Sequence, residues 1–290
     1  MVMDAKKCLF TLLMISLTAG IYAQGEKPQN IYRVTVNSRY VIEDGERTSK
    51  YFAIGQLISD SLGRLHTEID YSWETRYPDN YRWHYFDGLT KVKTDFFIKE
   101  KLRYFKVFEY SNELLSTLLV YTVNNSDTAL LVREEYVYDD AGNKTRTTGY
   151  NKDGKRSFRS RHKYDEHNTE IERRVRGRRA VPSDSIMSLK RVVEYDTLGR
   201  MASEHLDVQK FNLPQKSTHT TYKYDENNNI VEKVIKDNVS NTTLRKEFVY
   251  RRDNRLQGLR VYDSQDNLID YQAWRYEIYR TANRTHRVFE

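Results

Sequence analysis

Residues 138–155 read YDDAGNKTRTTGYNKDGK, a run whose residue order points to paired strands and a tight turn. It opens on Tyr138-Asp139-Asp140-Ala141-Gly142: an aromatic residue, an aspartate, two variable residues and a glycine. Each position has a physical task. The tyrosine closes a strand on its inner face. The Asp139 carboxylate accepts hydrogen bonds from backbone amides just ahead and nucleates a turn. Gly142 supplies the positive φ that the turn requires. The chain then returns antiparallel along the next strand.

The unit recurs. Tyr195-Asp196-Thr197-Leu198-Gly199 is a full copy, and Tyr164-Asp165-Glu166-His167-Asn168 and Tyr224-Asp225-Glu226-Asn227-Asn228 carry Asn in place of Gly. Looser copies begin at Tyr150, Tyr250 and Tyr262, and Asp60-Ser61-Leu62-Gly63-Arg64 nearly repeats the stretch from Asp196 to Arg200. Asp139, Gly142, Asp196, Gly199 and Asp225 are therefore the expected turn-forming residues. The flanks alternate with period two, as in Phe248 and Tyr250, Tyr222 and Tyr224, or Trp274 and Tyr276, which is strand and not helix order. Only residues 111–120 read equally well as helix. From Tyr138 the principal turn tyrosines follow at 26, 31, 29 and 26 residues, with extra turns 12 residues after Tyr138 and Tyr250. These intervals suit long hairpins better than a solenoid rung. The expected fold is all-β: antiparallel hairpin or meander repeats forming an extended, twisted sheet.

Composition agrees. Mean hydropathy is −0.81, yet the chain holds 23 Tyr and 11 Phe and only 4 Pro, unlike a disordered chain. Residues 1–23 have the order of a secretory signal: Lys6 and Lys7, an apolar run from Cys8 to Ala19, and Ala23 before Gln24. That run is too short for a comfortable membrane span, and no other stretch approaches one, so no transmembrane span is expected in the mature chain. Cys8 is the only cysteine; a chain cut before Gln24 has neither a disulfide, nor a thiolate metal site, nor a cysteine nucleophile. The domain reading is a signal at 1–23, a β-rich region with weak repeats at 24–130 and a repeat region at 131–290.

The stretches YDDAGNKTRTTGYNKDGK, YDEHNTEIERR, YDTLGRMASE, YDENNNIVEK and YDSQDNLIDY resemble the tyrosine-aspartate (YD, or Rhs-type) repeat proteins. The resemblance implies an exported protein, in the periplasm or at the cell surface, with extended β-sheets and in some cases carbohydrate binding. The match is good over about 130–280 and poor over 30–130. A second resemblance, to the O-glycosylation signal of Bacteroidetes envelope proteins, falls on Ser61, Thr128, Ser185 and Thr197, each after an aspartate.

Candidate ligand contacts are Trp73 and Tyr77 in an aromatic-rich stretch, and Arg173, Arg174 and Arg176 in the sharpest basic cluster. The formal net charge of +7 allows anionic partners; for an exported chain nucleic acid is the least favoured of them. No nucleophile elbow, phosphate loop or metal-ligand spacing is present, so no catalytic residue, metal or cofactor is expected. The leading expectation is a non-enzymatic binding or structural module, with a glycan or envelope protein as partner and self-association through sheet edges open to it. The alternative is an envelope polysaccharide hydrolase built on a carboxylate pair.

Overall fold

The computed structural model describes residues 32–72, 74, 75, 77–124, 127–177 and 186–279; the signal stretch lies outside them. Eighteen strands follow in order. The first nine are β1 (Tyr32–Glu43), β2 (Glu46–Ser59), β3 (Leu65–Tyr71), β4 (Pro78–Asp87), β5 (Thr90–Ile98), β6 (Lys101–Ser111), β7 (Leu114–Asn124), β8 (Asp127–Tyr138) and β9 (Lys144–Asn151). The rest are β10 (Arg156–Tyr164), β11 (Glu170–Gly177), β12 (Ile186–Tyr195), β13 (Met201–Lys210), β14 (Lys216–Tyr224), β15 (Ile230–Asp237), β16 (Thr242–Tyr250), β17 (Leu256–Tyr262) and β18 (Leu268–Tyr279). The ambiguous 111–120 segment is mostly strand β7. β8 crosses position 130, so both sequence regions share one sheet.

Every strand pairs antiparallel with its neighbours in sequence, and the ring closes. β1 pairs with β2 on one side (Arg33↔Ser59 to Glu43↔Glu46) and with β18 on the other (Tyr32↔Tyr279 to Tyr40↔Tyr271). Arg39 fixes the seam: its Nε and Nη2 donate to Asp270 Oδ1 and Oδ2, both at 2.8 Å.

Closure corrects several expectations. The all-β assignment stands, but the sheet is an 18-stranded up-and-down barrel, not an extended, twisted meander. The resemblance to YD-repeat proteins therefore fails as an assignment: the tyrosine-aspartate unit is a hairpin-turn device, and the same device serves a closed ring. Self-association through bare edges loses its basis, because closure removes edges. The expected absence of a transmembrane span, with a periplasmic or surface location, is corrected too. A closed barrel satisfies its backbone groups internally and is the architecture by which strands cross membranes. No helix among the described residues is long and apolar enough to cross, which says nothing of strands.

The repeat spacing now has a mechanical meaning. Turns from even to odd strands lie at one rim, and those following Tyr138, Tyr164, Tyr195, Tyr224 and Tyr250 are all of this kind. Two strands separate successive members, giving the long intervals. The turns after Tyr150 and Tyr262 lie at the opposite rim, one strand away. Where an aspartate follows the tyrosine, it acts as read from the sequence. Asp139 Oδ1 accepts the Ala141 and Asn143 amides at 3.1 and 2.8 Å, Asp196 Oδ1 those of Leu198 and Arg200, both at 2.9 Å, and Asp225 Oδ1 those of Asn227 and Asn229 at 2.9 and 2.8 Å. Gly142 and Gly199 have φ of +81° and +73°.

Alternation gives the wall two faces. Following directly opposed residues around the ring, a first face carries Ile69, Tyr81, Trp83, Phe97, Arg161 and Arg174, and a second carries His84, Phe158, His162, Leu189 and Glu204. The buried apolar residues Val120, Val132, Phe158, Leu189, Val208 and Val261 stand on the second face among buried Thr147, Ser160, Thr218 and Thr220. Val34 and Ile69, also buried, stand on the first face, so the core is a thin mixed layer that lies mostly, not wholly, along one side of the sheet. Gly149 stands directly opposite Phe158, and the Phe158 ring lies over it so closely that an added Cβ would fall 1.9 Å from a ring carbon.

Candidate functional site

A concavity lies at the tyrosine rim, between the β2–β3 and β4–β5 turns. It is a cleft of about 390 Å³ lined by residues that include Leu62, Arg64, Glu68, His84, Phe86 and Lys91. Asp60, buried at 4% exposure, organises its edge. Its Oδ1 accepts the Leu62 and Arg64 amides, both at 2.9 Å. Its Oδ2 lies 2.6 Å from Arg64 Nε and 3.0 Å from His66 Nε2. Burial alone would raise the Asp60 pKa, but the hydrogen bonds from His66 and Arg64 prevail and hold it at about 2. Deeper in the cleft, His84 sits 2.7 Å from Glu68 Oε1 through Nε2 and 2.9 Å from Thr94 Oγ1 through Nδ1.

A second chain of the same type runs across β10 and β11. Ser160 Oγ is 2.8 Å from His162 Nε2, His162 Nδ1 meets Glu170 Oε1, and Arg173 Nη2 donates to Glu170 Oε2 at 2.6 Å. The order hydroxyl–imidazole–carboxylate is that of an acyl-transfer triad, and nothing in the sequence selects these residues, since Ser160, His162 and Glu170 are ordinary until two strands bring them together. The surroundings do not suit catalysis. Ser160 is only 5% exposed. It sits in mid-strand, paired with Thr147 on one side and Val175 on the other, so the local amides serve the sheet ladder and are not free to stabilise an oxyanion. Both histidine chains read as satisfied polar packing.

The sequence-predicted ligand residues are not brought together. Trp73 lies outside the described residues. Tyr77 is 75% exposed in the β3–β4 connection. The neighbouring aromatic rings pack on one another: Tyr81 stacks on Phe97 at 4.6 Å between centroids and Trp83 lies 4.8 Å from Phe97. Of the basic trio, Arg173 points to the second face and is held by Glu170, whereas Arg174 and Arg176 project from the first. Among the proposed glycosylation positions, Ser61 and Thr197 are exposed within aspartate turns, Thr128 is exposed early in β8, and Ser185 lies outside the described residues.

A close carboxylate pair does occur. Glu232 and Glu247 stand directly opposite each other on β15 and β16. Each is held by a cation, Glu232 by Lys223 at 2.7 Å and Glu247 by Arg245. Polysaccharide hydrolysis needs two acids in contrasting environments, and these two share the same kind of environment. Among the described residues no group of three or more His, Cys, Asp or Glu side chains is placed to hold a metal.

Comparison with known proteins gives likeness of fold only. No family model matches the chain, and no curated protein matches it. Among solved structures it is similar to a porin-like protein from Bacteroides uniformis, with 9% identity, 85% of this chain and 96% of the other covered, and a TM-score of 0.42. It is also similar to a porin-like protein from Bacteroides vulgatus, with 14% identity, coverage of 84% and 97%, and a TM-score of 0.32. A third similarity is to the TcdB2-TccC3 structure, with 13% identity, 76% of this chain but 16% of the other covered, and a TM-score of 0.28.

Proposed function

We propose that this chain is an exported, non-catalytic barrel that encloses a water-filled passage for small polar solutes. One observation carries the reading: β1 pairs with both β2 and β18, so eighteen strands form a closed ring. Small barrels fill their interiors with side chains, whereas rings of 16–18 strands leave an aqueous lumen. At a strand spacing of about 4.8 Å and a tilt of about 40°, a circular ring of this size is roughly 35 Å across. Apart from a small contact of β2 with β18 across β1, each strand touches only the strands beside it in the ring. Both faces carry charged side chains, such as Arg161 and Lys190 on the first and Arg191 and Glu204 on the second, so the lumen is wettable whichever face lines it. Glycan binding draws no support from the placement of Tyr77, and hydrolysis draws none from Glu232 and Glu247.

Permeation is a demanding test, because a cation facing the hydrocarbon midplane costs about 2–4 kcal/mol. Purified chain reconstituted into liposomes is expected to cause swelling in small sugars and progressively less in larger ones. Folded protein that leaves liposomes impermeable, or that cleaves envelope polysaccharide, overturns the proposal.

A further inference from the structure

The first face of β9–β11 concentrates cations in a way the fold does not require. Arg161 stands directly opposite Arg146 on β9 and Arg174 on β11, and Arg159 stands directly opposite Arg176. With Lys163, this patch sets six cations against one carboxylate, Glu172. That carboxylate is already engaged by Lys163 at 2.7 Å and by Arg174. Arg146, Arg159, Arg161 and Arg176 have no carboxylate partner among the described residues. Like charges directly opposite in an antiparallel pair are destabilising, so three arginines in a row weaken the sheet unless an anion lies across them. On the same face farther round, cations and acids are interleaved: Lys223 meets Glu232, and Arg245 meets Glu247. The excess is therefore local.

We propose that this arginine grid binds a ligand bearing several phosphate groups. Neighbouring rows lie about 4.8 Å apart across strands, and like-facing residues about 6.8 Å apart along them, so one multivalent anion can engage several guanidinium groups at once. Five of the six cations are arginine, whose planar fork binds phosphate oxygens two at a time. The sequence drew attention to Arg173, Arg174 and Arg176 as a run; the structure replaces Arg173 with Arg146, Arg159 and Arg161, which reach the same patch from other strands. The inference does not depend on the barrel conducting solutes.

Tripolyphosphate titrated into the purified chain by calorimetry tests it, and vesicles with and without cardiolipin, whose headgroup carries two phosphates, test for a lipid source. Arg146→Gln/Arg161→Gln/Arg174→Gln is expected to weaken tripolyphosphate binding about tenfold or more. A control that removes three exposed cations elsewhere, Lys216→Gln/Lys236→Gln/Arg252→Gln, should change it less than about twofold. Replacing the same three arginines by lysine should recover only part of the affinity. Thermal melts check folding, and Arg159→Gln/Arg176→Gln serves as a second disruption with the same expected direction. Vesicle binding that needs cardiolipin and is lost in the arginine variant supports a headgroup as the source; tripolyphosphate binding without vesicle binding supports a free phosphate. Equal losses in variant and control overturn the site, and tighter binding of polygalacturonate than of tripolyphosphate overturns the phosphate assignment. A chain that passes this assay but leaves liposomes impermeable separates this inference from the passage reading.

Discussion

The Tyr224 hydroxyl donates to the Met201 carbonyl at 2.8 Å, tying the last residue of β14 to the first residue of β13. The same bond joins Tyr138 to Leu115 at 2.8 Å, Tyr164 to Lys144 at 3.1 Å, Tyr250 to Ile230 at 3.0 Å and Tyr276 to Leu256 at 2.7 Å. At Tyr195 the hydroxyl instead meets Thr169 Oγ1 and Asp165 Oδ2, at 2.8 and 2.7 Å. The repeated tyrosine is thus a strap along one rim, reaching back to the start of the preceding strand. A neutral hydrogen bond contributes about 1 kcal/mol. Tyr224→Phe should lose about that much in denaturant melts, and Tyr138→Phe/Tyr224→Phe/Tyr250→Phe roughly three times as much, since the sites are well separated. Unchanged midpoints would mean that rim water replaces the hydroxyl without loss.

The turn glycines make a cleaner test, because packing plays little part. Nothing lies within 4 Å of a Cβ built on Gly142, and only His167, at 3.9 Å, approaches one on Gly199. Valine at either position should cost about 1–2 kcal/mol from backbone strain alone. Asparagine should cost much less, because Asn168, Asn228 and Asn254 hold the equivalent position at φ of +58°, +65° and +58°. Equal losses for Val and Asn, read from thermal midpoints, would point to something other than φ.

Asp60 gives a pH dependence. Its folded pKa, about 2, is below the ordinary 3.8, so its contribution is fully present above about pH 4 and is lost as pH falls through 2. The shift corresponds to roughly 2 kcal/mol. Asp60→Asn keeps an oxygen for the turn amides but gives up the charge that Arg64 and His66 meet. The stability gap between wild type and Asp60→Asn should be largest at neutral pH and close between pH 4 and 2. A gap constant across that window would contradict the charge-based account.

These features divide into what the chain declares locally and what only pairing creates. The turns at Asp139, Asp196 and Asp225 are local: each depends on five consecutive residues, and their chemistry is written there. Strand periodicity at Tyr222 and Tyr224 is local as well. Ring closure is not. It depends on Arg33–Tyr40 finding residues 271–278 at the far end of the chain, and nothing in either stretch names its partner. The same applies to the candidate sites. Arg146, Arg161 and Arg174 are scattered in sequence and become one row only through register, while Arg173, adjacent to Arg174, alternates to the opposite face. A contiguous basic run in a strand is always split in this way, a rule that could have separated Arg173 from Arg174 beforehand.

Packing on the second face is tightest where Phe158 covers Gly149. A methyl group there would meet the ring at 1.9 Å, and Phe158, 2% exposed, has little room to withdraw. Gly149→Ala should therefore destabilise by about 1–3 kcal/mol. Phe158→Leu alone should also destabilise, yet the double variant should lose less than the sum of the two, because the smaller side chain makes room for the methyl. Strict additivity in a double-mutant cycle would show that the two residues do not share this space.

Closure itself is open to a direct chemical test. Ser38 and Ala273 are directly opposed across the β1–β18 seam, and opposed residues in an antiparallel pair have Cα atoms about 4.5–5.5 Å apart, within disulfide range. In an extended sheet the same residues would sit at opposite ends, many strands apart. Cys8 is the only native cysteine, so Cys8→Ser/Ser38→Cys/Ala273→Cys leaves a single possible intramolecular bridge. Mild oxidation of the dilute protein should give a monomer that migrates faster on a non-reducing gel and reverts with reductant. It should also raise the thermal midpoint, since the bridge joins the two ends of the ring and constrains the unfolded chain. Arg39→Ala in the same background should slow bridge formation by loosening the seam that Asp270 helps to hold. Disulfide-linked dimers without the fast-migrating monomer would show that β1 and β18 do not meet within one chain, and the passage reading would fall with the ring.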